Sequence, residues 1–189
     1  MSIRSLLIAG LFAMAAAAAC SKLSLQGTYD KQAAYIENFV SSQMAKDTTA
    51  TFSRRGCAYR LTLHDTLDRV FGQRDTLRQG GQAVVWYACF TLSGSSLSLN
   101  NLVATNVKEI AQAAGWQLSD TLRYKTDTLR LDKSLVRGLQ DGLQGVRPYD
   151  EYVILFTGEF GFGNSERGTI PARSALAYQF WIEKIDNEN

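Results

Sequence analysis

Residues 135–185 read LVRGLQDGLQGVRPYDEYVILFTGEFGFGNSERGTIPARSALAYQFWIEKI. Within this stretch, residues 152–156 (Tyr-Val-Ile-Leu-Phe) are apolar without a break, as in a strand buried on both faces. At 176–185, Leu176, Tyr178, Phe180 and Ile182 alternate with Ala177, Gln179, Trp181 and Glu183, which predicts a final strand. Between the two lie Gly158, Gly161 and Gly163. Their spacing is superficially that of a glycine-rich phosphate loop, but no Lys-Ser/Thr pair follows them. The chain runs on through Thr169-Ile170-Pro171, and the residue before a proline is biased away from the helix.

Upstream, residues 82–92 (QAVVWYACFTL) predict a second strongly apolar strand, and CAYRLTL from Cys57 alternates like a third. Residues 106–118 read as a helix with Val107, Ile110, Ala114 and Gln117 on one face. Residues 29–46 read as another, with Tyr29, Ala33, Ile36, Val40 and Met44 at helical spacing and Thr28 as its N-cap. Residues 47–54 are polar and read as a loop. Asp-Thr-Leu occurs four times, from Asp65, Asp75, Asp120 and Asp127, at irregular spacing. It reads as polar turn residues leading into strands, not as a repeat array. Strands outnumber helices and hairpins join them, so the fold class is α+β, an antiparallel sheet with one or two helices against it.

The N-terminus carries a different message. Arg4 precedes the uncharged apolar run 5–19, and small residues lead to Cys20, the pattern of an export signal. The run is short for a membrane span, which takes about 20 residues. Ala17-Ala18-Ala19-Cys20 resembles a bacterial lipobox. That resemblance implies cleavage before Cys20 and diacylglycerol on its sulfur; a plain Ala-x-Ala cut leaving Cys20 free is the alternative. The expected organisation is a signal at 1–19, a lipidated Cys20 and tether at 20–28, a helix and loop at 29–54, and one domain at 55–189. The location expected is the bacterial cell envelope, anchored by lipid and facing the periplasm.

Several chemistries are excluded. The formal net charge is only +2 and no Lys/Arg-rich run stands out, which argues against nucleic acid as a partner. His64 is the sole histidine, with no Cys pair at metal spacing, so no metal site and no cofactor is expected. Ser93-Gly94-Ser95-Ser96 is a turn, not a nucleophile elbow. Cys57 and Cys89 could pair in an oxidising compartment or remain as buried thiols; spacing does not decide between these.

The stretch 135–185 also resembles the C-terminal half of an FKBP-type peptidyl-prolyl isomerase. Leu135, Val136, Gly138, Leu139, Gly142 and Leu143 match that family's helix motif. Gly161-Phe162-Gly163 and Ile170-Pro171 match its loop between the last two strands. Gly81 to Tyr87 resembles an earlier family strand, and Val103-Ala104-Thr105-Asn106 sits where Phe-Asp-Ser-Ser is usual. Residues 107–126 look like an insertion. The resemblance implies a curved antiparallel sheet with a short helix packed across it, plus an N-terminal helix.

It also implies a proline pocket. Tyr87 matches the strand tyrosine. Val103 takes the place of an aromatic wall residue, and Ala104 the place of a pocket aspartate. Leu135 and Val136 match an aliphatic pair, with the Val136 amide as the carbonyl-binding donor. Leu139 replaces a tryptophan floor, and Phe162 a tyrosine whose hydroxyl donates to bound peptide. Ile170 and Tyr178 match a loop isoleucine and a wall phenylalanine. The apolar wall is kept while two polar groups are lost.

Three functional readings follow. The first is an isomerase or folding factor acting on proline-containing segments, with Phe162, Ile170 and Tyr178 lining an open pocket beside Tyr87. The second is a non-catalytic module that binds a protein partner, its pocket filled. The third is an unrelated ligand-binding α+β lipoprotein, with no helix across the sheet. The helix at 29–46 either pairs with a second copy through Ile36, Phe39 and Val40, making a homodimer, or packs on its own domain.

Overall fold

The computed structural model describes residues 3–63, 74–118 and 121–187, with side chains from Ser24 onward apart from Thr121. His64 lies outside the described residues.

Seven strands form one antiparallel sheet: β1 Thr51–Arg55, β2 Ala58–Leu63, β3 Gln82–Thr91, β4 Leu102–Thr105, β5 Asp127–Arg130, β6 Glu151–Phe156 and β7 Leu176–Asp186. The order is β1-β2-β6-β7-β3-β4, with β5 also on β3. One long strand thus carries two short ones end to end. Cys89 pairs with Ala104 of β4, and Val85 pairs with Asp127 of β5. Among the described residues the α-helices are α1 Ile3–Lys46, α2 Lys108–Ala113 and α3 Arg137–Leu143. Among the described residues no helix is long and apolar enough to cross a membrane.

The period-2 alternation of the strands decides which core each side chain joins. Ala83, Val85, Cys89, Tyr152, Ile154, Phe156, Leu176 and Phe180 face α3 and close the main core with Leu139 and Leu143. On the opposite face, Tyr59, Leu61, Val153, Leu155 and Ala177 pack against Ile36, Phe39 and Val40 of α1. The next part of that face, formed by Ala88, Phe90 and Leu102, is covered by Ile110, Ala114 and Trp116. The segment that looks inserted, 107–126, therefore closes a second cluster behind β3 and β4. It also carries the chain to β5.

The three residues a homodimer would use are buried against this chain's own sheet, while Met44 lies exposed. A helix does cross the sheet at 137–143, where the unrelated-lipoprotein reading expects none.

Four expectations are corrected. The tether at 20–28 is helical, inside the continuous α1. Thr28 is no N-cap: its hydroxyl donates to the Ser24 carbonyl one turn back at 3.0 Å. No proline interrupts 21–28, and a single glycine costs a helix only about 1 kcal/mol. The loop expected at 47–54 holds β1, an edge strand whose residues are mostly exposed, so its composition reads as polar. The helix expected over 106–118 stops at Ala113, because Gly115 adopts φ 74° just past the C-cap, and Gln117 falls beyond it.

Two glycines let α3 lie close to the sheet. A Cβ at Gly138 would overlap the Phe156 ring, and one at Gly142 would overlap the Ile154 side chain. Gly138→Ala is expected to lower the unfolding free energy by about 2 kcal/mol through overpacking. Equilibrium urea unfolding checks this, and adding Phe156→Leu should recover part of the loss.

Candidate functional site

A cleft of about 170 Å³ opens between β3, β4, β5, β7 and α3, lined by Tyr87, Ala104, Asp127, Leu129, Leu139, Tyr178 and Phe180. Four of the sequence-derived pocket residues meet here: Tyr87, Ala104, Leu139 and Tyr178. Val103, Leu135, Val136 and Phe162 are half-buried against the same core, and Ile170 is buried in it. None of these five lines the cleft itself.

Aromatic rings build the wall. Tyr178 and Phe180 on β7 lie nearly parallel, with centroids 5.5 Å apart and planes 8° apart. Tyr87 leans on both, at 6.3 Å from Tyr178 and 6.2 Å from Phe180. Phe156 stacks behind Tyr178 at 6.0 Å. Ring pairs at these separations add about 0.5–1.5 kcal/mol each beyond area burial, so the wall is stiff. Burial pushes the Tyr178 hydroxyl's pKa up, helped by the neighbouring Cys89 thiol. That thiol is itself pushed up to about 12 by burial. Tyr87 is raised by burial first and then by the nearby Asp127 carboxylate. The cleft thus holds neutral phenols.

Cys57 and Cys89 are both free in the structure, Cys89 fully buried and Cys57 in the β1–β2 turn. The Cys57 thiol is pushed up to about 12 by burial and by Asp141, whose carboxylate accepts from the Cys57 amide at 3.0 Å. Neither thiol is a ready nucleophile. Among the described residues no group of His, Cys, Asp or Glu could hold a metal.

Asn106 positions Tyr87. Its Oδ1 accepts from the Tyr87 amide at 2.7 Å, and its Nδ2 donates to the carbonyls of Val85 and Lys125, both at 3.0 Å. The Thr105 hydroxyl donates to the Tyr87 carbonyl at 2.7 Å. These side chains take over the backbone pairing of β3 in the gap between β4 and β5. On the other wall, α3 starts just after Val136. Its carbonyl accepts from the Leu139 and Gln140 amides, while among the described residues its own N–H has no acceptor.

The loop bearing Phe162 and Ile170 is pinned at its neck. Gln32 of α1 accepts from the Gly158 amide at 2.9 Å and donates to the Arg173 carbonyl at 2.7 Å. Within the loop, Arg167 and Ile170 exchange two backbone hydrogen bonds, and the Thr169 hydroxyl donates to the Val103 carbonyl at 3.1 Å. The loop is therefore tied both to β4 and to the helix behind the sheet.

Sequence reasoning missed three lining residues: Asp127, Leu129 and Phe180. Phe180 follows from the alternation of β7. Asp127 and Leu129 follow from the alternation of Thr126-Asp127-Thr128-Leu129, once that segment is read as a strand instead of a turn.

No protein-family model matches the chain, and no curated protein matches it in sequence. Solved structures do. FkpA from Escherichia coli superposes with a TM-score of 0.54 at 13% identity, over 98% of this chain and 74% of that one. The three FKBP domains of wheat FKBP73 give 0.53 at 11% identity, over 72% of this chain and 50% of theirs. The match thus spans about half the length of that three-domain chain. The fold is FKBP-like: an antiparallel α+β sheet with a helix packed across it and a further helix at the N-terminus.

Proposed function

We propose that this FKBP-like fold serves a peptidyl-prolyl isomerase or folding factor of the bacterial envelope, carried on lipid at Cys20 and facing the periplasm. The observation that supports it most is the open aromatic cleft at Tyr87, Leu139, Tyr178 and Phe180.

The chemistry needs little else. Rotation about a peptide bond is opposed by roughly 18–20 kcal/mol, which arises from amide resonance. The twisted amide has lost that resonance and its charge separation. An apolar site out of water therefore favours it over the planar forms, which is binding selective for the transition state. In this reading the aromatic wall takes the pyrrolidine ring, and the Val136 N–H, which has no acceptor among the described residues, holds the carbonyl before the proline. Phe162 adds no hydroxyl and Ala104 adds no carboxylate. Asp127, on the neighbouring strand, brings a carboxylate back to the same cleft. It has no hydrogen-bond or ion-pair partner among the described residues.

A second reading, a non-catalytic module that binds proline-bearing segments of a protein partner, is favoured by one observation. Of the residues that line the cleft, only the two tyrosines carry a hydroxyl, and both are raised in pKa by burial, which leaves the pocket short of polar groups. A protease-coupled isomerisation assay on the full chain in detergent separates the two. Isomerase activity is expected to fall at least tenfold with Tyr87→Ala and to rise with Phe162→Tyr, which restores a donor worth about 1 kcal/mol. A folded chain with no activity, in which Phe162→Tyr also does nothing, would leave only the binding module.

A further inference from the structure

A second concavity lies at the far edge of the sheet from the aromatic cleft. It has a volume of about 160 Å³ and is formed by β1, β2, the start of β6 and the turn after α3. Its residues come together through strand register. Thr51 pairs with Thr62 and Ser53 with Arg60 across β1 and β2, and Thr62 pairs with Tyr152 of β6. These hydroxyls and guanidinium groups therefore share one face, and the turn adds Arg147 and Asp150 to the same wall.

The charge there is lopsided. Arg60 is only 4% exposed. Its Nη1 donates to the carbonyls of Gly142 and Gln144 at 3.1 and 2.8 Å, closing the end of α3. Its Nε is buried with no partner. Burial comes first, then the guanidinium of Arg55 and, more weakly, that of Arg147, in lowering the Arg60 pKa to about 10. Among the described residues the one carboxylate in the wall, Asp150, is already held by Arg74 at 2.5 Å and by the Tyr152 hydroxyl at 2.8 Å. Among the described residues nothing accepts from the Arg55 side chain. A buried guanidinium with an open donor, facing the Arg55 guanidinium, is costly unless an anion neutralises it. Planar guanidinium donors converging from several directions suit a tetrahedral oxyanion, which offers an oxygen to each.

We propose that the pocket of Arg55, Arg60 and Arg147, with the hydroxyls of Ser53 and Thr62, binds a phosphate group, supplied as free phosphate or as a phosphomonoester headgroup. The site lies apart from the proline cleft and does not depend on isomerase activity.

The test is thermal unfolding of the full chain in detergent, at fixed ionic strength, with chloride exchanged for inorganic phosphate. A ligand present at about twenty times its Kd raises the melting temperature by several degrees through mass action alone. That rise is expected, and it should vanish in Arg55→Gln/Arg147→Gln, which spares the hydrogen bonds of Arg60 to α3. Repeating the titration with glycerol 3-phosphate identifies the source. A half-saturating concentration at least tenfold below that of phosphate assigns a lipid headgroup, and an equal one assigns free phosphate. No rise with either anion, or an equal rise in the double variant, overturns the site.

Discussion

Asp150→Ala is expected to lower the unfolding free energy by about 4 kcal/mol, the scale of loss when one partner of a buried ion pair is removed. Asp150 is buried between the turn after α3 and the start of β6. One oxygen accepts from Arg74 at 2.5 Å, and the side chains of this pair are 6% and 2% exposed. The other accepts from the Tyr152 hydroxyl, which in turn accepts from the Arg147 amide at 2.9 Å. Arg74 also donates to the Pro148 carbonyl at 2.7 Å. Removing the carboxylate strands a buried guanidinium and a buried phenol together. The pair itself adds little net stability, because burying both charges costs nearly what their attraction returns. The double change Arg74→Met/Asp150→Leu should therefore cost far less than Asp150→Ala alone. Urea unfolding of the three chains checks this. A single-variant loss below about 1 kcal/mol would mean the pair behaves like an exposed one.

Asn106→Ala should cost about 3 kcal/mol and weaken the cleft at the same time. Three backbone groups, one buried and two part-buried, would lose this partner: the carbonyl of Val85, the Tyr87 amide and the carbonyl of Lys125. Each buried group left unsatisfied costs about 1–3 kcal/mol, and water entering the vacated space would recover some of it. Asn106→Asp keeps the acceptor for Tyr87 but sets a carboxylate against two carbonyls, so it should be no milder. Because Tyr87 hangs from this network, both variants should weaken proline-peptide binding at temperatures where they remain folded. Unfolding curves and peptide titrations on the same samples check the two effects. Intact binding in a folded Asn106→Ala chain would show that β3 positions Tyr87 without help.

The elements with strong patterns were legible in the sequence. β6 is apolar without interruption, β7 alternates over its length, and β3 is long and apolar, so each declares its burial directly. Edge elements do not. β1 and β5 turn much of their surface to solvent, and a polar edge strand has the composition of a loop. Asp127 was hidden by this, since Asp-Thr-Leu reads as a turn until β5 is seen paired to β3. The resemblance brought Tyr87, Ala104, Leu139 and Tyr178 to one cleft. It also named Phe162 and Ile170, which the loop holds against the same core but outside the cleft wall. No local signal marks Gln32, whose partners at Gly158 and Arg173 lie more than a hundred residues away. Nor does one mark Asn106, whose partners lie on β3 and just before β5. Long-range polar clamps have no periodicity to betray them.

The central claim is that the aromatic cleft receives proline. Its most direct test is a titration of the full isotope-labelled chain in detergent with a short proline-containing peptide, followed by amide NMR. The account predicts saturable shifts gathered at Tyr87, Ala104, Val136, Leu139 and Tyr178, absent when the proline is replaced by alanine. Shifts that ignore that replacement, or that gather away from these residues, would contradict it.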